Sequence, residues 1–191
     1  VSFYNETKDK GIKPTPTIGG VGLISDYQQM LTMSFKTEGN LVYVIGKTDG
    51  HLDQSIFARE LLNEKKGPPP TINLFNEKNI GETVLDLSRK NLIVSCHDVS
   101  LGGILTAVSK MCIKGKKGIK VNALKGLKNK YEYFFGEDQA RYIIEIPKAS
   151  LKKLIEILNK YSVHFDDLGI IDGNYIKYNV DINLPIEELA E

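Results

Sequence analysis

The sequence is poor in the residues that would commit it to several function classes. It has 2 cysteines and 3 histidines among 191 residues. Two cysteines, Cys96 and Cys112, are too few for a disulfide scaffold, and neither stands in a CxxC pair, so no zinc or redox site is suggested. Both lie in apolar surroundings and are expected to behave as small core residues in a reducing, cytoplasmic setting. His51, His97 and His164 are scattered, and no HExxH, Ser-His-Asp order or EF-hand loop is present. Charge of one sign is lacking too: Lys+Arg 25 against Asp+Glu 24 leaves +1. That balance offers no footprint for nucleic acid and no attraction to an acidic membrane. The Lys-rich piece from Lys110 to Lys120 is a local exception, read as a helix end and turn, because cations favour helix C-termini. No run approaches the roughly 18 apolar residues of a membrane span, no secretory signal pattern is recognised, and there is no internal repeat, low-complexity tract or heptad run.

What is present is globular: 41% hydrophobic and 26% charged, enough chain for one domain plus part of another. The sequence begins with Val1 inside a strand-like Val-Ser-Phe-Tyr with no lead-in, so a piece of a longer polypeptide is expected, by cleavage or truncation. A charged turn follows at 5–11. The prolines of Lys13-Pro14-Thr15-Pro16-Thr17 exclude helix there. Ile18 to Leu23 is glycine-rich without GxGxxG or GxxxxGK[ST] spacing, so close backbone packing is expected rather than phosphate binding. Residues 26–30 suit a short helix or turn. A boundary is placed near Gly39. Leu41 to Gly46 is apolar on both faces, as a central strand would be. Helices are expected over 52–64, with Ile56, Phe57, Leu61 and Leu62 on one side, and over 76–90, with Ile80, Val84 and Leu87. The triple proline 68–70 is a stiff spacer between them.

The stretch from Leu92 to Met111 carries the first polar hinge. Leu92-Ile93-Val94 predicts a buried strand, and Ile104, Ala107, Val108 and Met111 predict a helix. Between them Cys96-His97-Asp98-Val99-Ser100 would sit at the carboxyl edge of a sheet, where open α/β sheets bind ligands. A plainer reading has Ser100 capping the helix, the glycines allowing close packing, and His97 and Asp98 satisfying local hydrogen bonds. Ile119 to Leu124 alternates like an edge strand, followed by a loop over 125–130. A second hinge, Gly136-Glu137-Asp138-Gln139-Ala140-Arg141, precedes the strand Tyr142 to Ile146. Its carboxylates, amide and guanidinium suit a phosphate, a ribose or a metal-bound nucleotide, or an ionic turn in which Arg141 pairs with Glu137 or Asp138. A helix over 147–161 is capped by Ser150. A strand over 163–171, a hairpin at Asp172-Gly173-Asn174 and a return strand over 176–184 complete the pattern, with a short helix or tail after Pro185. The fold class is α/β of the α+β type, a mixed sheet flanked by helices.

Taken together and in order, VSFYNET, PTPTIGGVGLI, HDVSLGGI and FFGEDQARYIIEIP resemble the C-terminal part of the formylglycinamidine ribonucleotide synthetase family, more narrowly its small-type subunit II; GHLDQSIFARELL and GPPP resemble it also. The resemblance covers essentially the whole chain. It implies the aminoimidazole ribonucleotide synthetase superfamily, in which the full subunit is a pseudo-dimer of two repeats. Residues 1–38 would be the tail of the second, nucleotide-handling N-terminal half-domain, and 39–191 the second C-terminal α/β domain. It implies a purine-biosynthesis ligase in which ATP phosphorylates the formyl amide oxygen of formylglycinamide ribonucleotide and ammonia, supplied from glutamine by a glutaminase subunit, displaces phosphate. A small accessory subunit and Mg²⁺ belong to the full enzyme. The resemblance places Ser2 at the substrate-contacting Ser of a Gly-Asn-Val-Ser pattern whose Gly and Asn would precede Val1. It leaves no catalytic or metal-binding residue in this stretch. Gly136-Glu137-Asp138-Gln139 occupies the second-repeat position of a segment that contacts substrate in the first repeat, and with His97, Asp98 and Arg141 it would serve as an auxiliary pocket or as structure. Leu101 stands where family members commonly carry Asp. The alternative is a non-catalytic domain for packing or subunit contact.

Overall fold

The computed structural model describes residues 6–11, 18–24, 26–122 and 129–190. It divides into two compact units, 1–30 and 31–191. In the first, β1 (Glu6–Thr7) and β2 (Lys10–Gly11) pair antiparallel around Lys8 and Asp9, both with positive φ, as a tight two-residue hairpin turn requires. A 3-10 turn at Tyr27–Gln29 is capped by Asp26, whose side chain accepts from Gln28 N. The glycine-rich piece is open instead of closely packed: a Cβ on Gly19, Gly20 or Gly22 would meet nothing within 4 Å, and Val21 and Leu23 are fully exposed. Ser2 lies outside the described residues, as does the strand expected at 1–4 and part of the loop expected at 125–130.

The second unit is a seven-stranded mixed sheet in the order β4-β6-β3-β7-β5-β8-β9. Its elements are β3 (Leu41–Ile45), α1 (Ile56–Leu61), α2 (Leu74–Arg89), β4 (Ser95–Asp98), α3 (Gly103–Gly115), β5 (Ile119–Val121), α4 (Lys130–Phe135), β6 (Tyr142–Ile146), α5 (Leu151–Lys160), β7 (Phe165–Ile171), β8 (Tyr175–Tyr178) and β9 (Ile182–Pro185). Alternation along the central strands splits the core in two. Val42, Val44 and Ile143 face Ile104, Val108 and Met111 of α3. Tyr43, Ile45, Ile144 and Ile146 face Ile80 and Leu87 of α2 and Leu154 and Leu158 of α5. Helices therefore cover both faces, and each fully buried Leu or Ile contributes about 1.5–3 kcal/mol.

Several local expectations shift. The strand expected at Leu92-Ile93-Val94 forms three residues later, on Ser95–Asp98. Asn91 takes positive φ and Leu92 N bonds Leu87 O, so the apolar run closes α2 and packs into the second core, and pairing to β6 starts only at Val94. The hinge residues Cys96, His97 and Asp98 thus lie in the ladder itself. α3 is capped by Gly102 without a side-chain bond, so Ser100 does not cap it; Ser150 makes no cap bond on α5, because the chain enters through a 3-10 turn at 148–150. α1 is shorter than 52–64, bounded by the Ser55 cap and by Asn63 at positive φ. Tyr133 to Phe135, read as hinge, belong to α4. β5 is interior, not an edge: it lies between β7 and β8. For that reason Asp172-Gly173-Asn174 does not join a hairpin. β8 crosses over to run parallel to β5, and the antiparallel turn falls instead between β8 and β9, at Asn179 with positive φ, leaving Val180 exposed.

One buried charge ties the entry of this unit to its sheet. Glu145 on β6 has no exposure. Its Oε2 accepts from Lys36 N at 2.8 Å; its Oε1 accepts from Thr37 N at 3.0 Å and Asn40 Nδ2 at 2.7 Å. Three donors satisfy the carboxylate, which makes burial of the charge tolerable.

Candidate functional site

Antiparallel pairing of β3 and β4 to β6 brings the C-terminal ends of β3 and β4 and the N-terminal end of β6 to one end of the sheet. The loops that leave these strands converge there. Gly46 makes the convergence possible: at φ +99° a side chain would be strained, and a Cβ would stand 2.2 Å from Ala140 O. Only glycine lets the two loops touch.

The second hinge fastens the convergence with its charges. Glu137 Oε1 accepts from Ile56 N, the first residue of α1, at 2.8 Å, and from Gly102 N, at the start of α3, at 2.8 Å. One carboxylate oxygen thus serves two helix N-termini, where negative charge is favoured. Asp138 Oδ2 accepts from Gly50 N at 3.0 Å and Oδ1 from His51 N at 3.1 Å. Arg141 is 2% exposed. Its Nη2 donates to Gly136 O at 2.6 Å, Nε to Asp138 O at 3.2 Å and Nη1 to Thr48 Oγ1 at 3.2 Å, with Asp138 Oδ2 at 3.6 Å. Burial pulls the guanidinium below its usual value, and the Asp138 carboxylate opposes the shift. The ionic turn foreseen for Arg141 is therefore made with Asp138.

Two adjoining clefts open at this end. The larger, about 650 Å³, is lined among others by Lys47, Asp49, His51, Asp53, Asn73 and Asn76. The smaller, about 340 Å³, is lined by Asp98, Leu101, Glu137, Gln139, Arg141 and Tyr142 among others. Asp138, Gln139 and Ala140 border both. Of the residues singled out from sequence, Asp98, Glu137, Gln139 and Arg141 come together on the smaller cleft. His97 does not line either cleft: it pairs in register with Ile143, its side chain is 12% exposed and its Nδ1 stands 3.1 Å from Asp98 Oδ1, while its Nε2 is buried without a partner. The larger cleft's Asp49, Asn73 and Asn76 were not singled out from sequence. The signal for Asn73 was local: an amide before Leu74 that caps α2 by accepting from Asn76 N at 3.0 Å.

The charges of Glu137, Asp138 and Arg141 are spent on the protein's own backbone and on Thr48. Both Asp138 oxygens and one Glu137 oxygen already accept N–H groups, and among the described residues no group of three His, Cys, Asp or Glu side chains gathers to hold a metal ion. Glu137 Oε1 and both Asp138 oxygens, so engaged, are not free to ligate a Mg²⁺-bound triphosphate. Cys96 and Cys112 are pushed up to about 12 by burial, which removes them as nucleophiles at neutral pH. Among the described residues no helix is long and apolar enough to cross a membrane.

Comparison with known proteins agrees with this architecture. Along its full 191 residues the chain is 61% identical to the phosphoribosylformylglycinamidine synthase subunit PurL of Pelagibacter ubique and 39% identical to that of Azorhizobium caulinodans. In both cases it spans 26% of the relative's length. Among solved structures, Thermotoga maritima PurL complexed with FGAR superposes with a TM-score of 0.71 over 86% of this chain and 30% of that one, at 21% identity; this likeness concerns the fold. The profile of the AIR synthase related protein, C-terminal domain, matches residues 37–177, and the chain belongs to that family.

Proposed function

We propose that the chain is the C-terminal part of the synthetase subunit of phosphoribosylformylglycinamidine synthase, the ligase that converts formylglycinamide ribonucleotide, ATP and glutamine-derived ammonia to formylglycinamidine ribonucleotide. The observation that carries this reading is identity of 61% sustained over all 191 residues with a PurL subunit. In this reading residues 1–38 end the second N-terminal half-domain and 39–191 form the second C-terminal domain. Activity belongs to the whole polypeptide in the cytoplasm, together with a glutaminase subunit and a small accessory subunit, and the 191 residues alone are inactive.

The reaction transfers the γ-phosphoryl group of ATP to the formyl amide oxygen, releasing ADP. Ammonia nitrogen then attacks the same carbon, and inorganic phosphate departs with the oxygen, leaving the amidine. Mg²⁺, held in the remainder of the polypeptide, supplies charge neutralisation of the triphosphate. This chain's own contribution is the Ser2 hydroxyl, which donates to a substrate oxygen. The sheet-end loops act as scaffold: Glu137, Asp138 and Arg141 spend their charges on Ile56, Gly102, Gly50, His51 and Gly136. That inward use favours a structural role for the second hinge over an auxiliary pocket.

The same observation favours a second reading, in which the whole chain is a non-catalytic packing domain. Ser2→Ala in the complete synthetase separates the two. Loss of one hydrogen bond to substrate, about 1.4 kcal/mol, lowers kcat/KM roughly tenfold if Ser2 contacts substrate. An unchanged kcat/KM leaves only the packing role.

A further inference from the structure

We propose that the outward face of α2 is an interface buried by a segment of the same polypeptide lying outside these 191 residues, an inference that rests on the reading of the chain as part of a longer synthetase. α2 has two apolar sides. The inward one, Ile80, Thr83 and Leu87, is buried against the sheet and α5. On the opposite side Leu74, Gly81 and Leu85 fall within about 20° of one line down the helix, at roughly 100° per residue. Leu74 is 78% exposed and Leu85 53%. Phe75, at 76%, and Ile72, at 63%, extend the apolar surface around the helix start.

Gly81 lies between the two leucines, and a Cβ there would meet nothing within 4 Å. Gly in an open helix interior costs roughly 1 kcal/mol relative to Ala, so an uncovered face offers no reason for it. A gap between two leucine knobs is the shape that receives a side chain from an apposed segment. The charged groups within about 80° of this line, Glu77, Lys78, Glu82 and Arg89, balance in sign, and Lys78 and Glu82 pair at 3.9 Å, leaving the stripe without net charge. A neutral leucine face suits permanent cover better than a transient partner, since obligate interfaces are the more apolar ones. The material for such cover exists in this reading: the chain spans 26% of the relatives' length, so about three quarters of the polypeptide remains to supply it.

The test uses the full-length synthetase with Leu85 replaced by p-benzoylphenylalanine, irradiated and mapped by peptide mass spectrometry. The expected product is a crosslink within the chain to a peptide outside these 191 residues. A crosslink to residues 1–30, to another subunit or to a second copy, or no crosslink at all, overturns the inference. Gly81→Met in the same full-length protein gives an independent sign. A covered face lowers Tm, whereas an open face raises it through helix propensity, and a rise overturns the inference. Synthetase activity of the unmodified full-length protein is assayed alongside. Its absence refutes the synthetase reading, while the crosslink map still scores the interface.

Discussion

Replacing Glu137 by Gln and by Ala distinguishes a carboxylate that fastens backbone from one that waits for a ligand. Both bonds it accepts fall on the single oxygen Oε1, from Ile56 N and Gly102 N at 2.8 Å each. A glutamine carbonyl placed there keeps both bonds and loses only the charge. The loss removes favourable interaction with two helix N-termini, about 0.3–1 kcal/mol each, so Glu137→Gln is expected to cost about 0.6–2 kcal/mol. Glu137→Ala leaves two backbone N–H groups without an acceptor, at about 1–3 kcal/mol each. Gly102 is buried while Ile56 is half-buried, and water can reach the second group in part, so about 3–4 kcal/mol is expected in total. Urea unfolding followed by circular dichroism reads both variants as shifts of midpoint at unchanged slope. Equal losses for Gln and Ala, or an Ala variant within about 0.5 kcal/mol of the parent, would refute the fastening role.

Glu145 gives the opposite contrast. Both of its oxygens accept N–H donors, so an amide must present its own NH₂ to one of them. Glu145→Gln is therefore expected to lose more stability than Glu137→Gln, by about 1–3 kcal/mol, in the same urea assay; the reverse order contradicts the hydrogen-bond assignment. Cys96 and Cys112, with thiols raised to about 12, are roughly one ten-thousandth ionised at pH 8. A thiol reagent should leave buried Cys112 untouched in the folded protein, react slowly with half-buried Cys96 and label both after denaturation, and fast labelling of Cys112 in the native state contradicts its burial. Burial raises the Asp167 carboxyl, with a hydrogen bond from Asn122 opposing. For a raised folded value, full stability is present below the unfolded value of about 3.9 and is lost as pH rises through the folded one. Asp167→Asn escapes that loss, so its urea midpoint should exceed the parent's at neutral pH and converge with it below about pH 3.5; a difference independent of pH contradicts this.

The fold was legible where burial and periodicity coincide. LVYVI, YIIEI and the stripe of α3 appear as expected because a central strand and a core helix announce themselves by apolar spacing alone. It was illegible where pairing decides. Leu92-Ile93-Val94 has the composition of a strand, but composition reports burial and not which residues reach β6. Asp172-Gly173-Asn174 makes a turn as its residues demand, yet the insertion of β5 beside β7 is a non-local choice no turn signal encodes. At the site, the cluster Gly136 to Arg141 was visible as a concentration of polar groups, while their direction was not. Glu137 and Arg141 turn inward because α1, the start of α3 and Thr48 bring two amides and a hydroxyl to them, partners 35 to 93 residues away in sequence, while Arg141 also donates to the hinge's own Gly136 O and Asp138 O. Glu145 looked like an ordinary alternating strand residue for the same reason: its donors lie in residues 36–40.

The most direct test of the synthetase reading is amidine formation from formylglycinamide ribonucleotide, ATP and ammonia, measured in parallel for the complete polypeptide and for the isolated 191 residues. The account predicts turnover by the complete protein and none by the isolated chain. Turnover by the 191 residues alone, or none by the complete protein under conditions where it is folded, contradicts it.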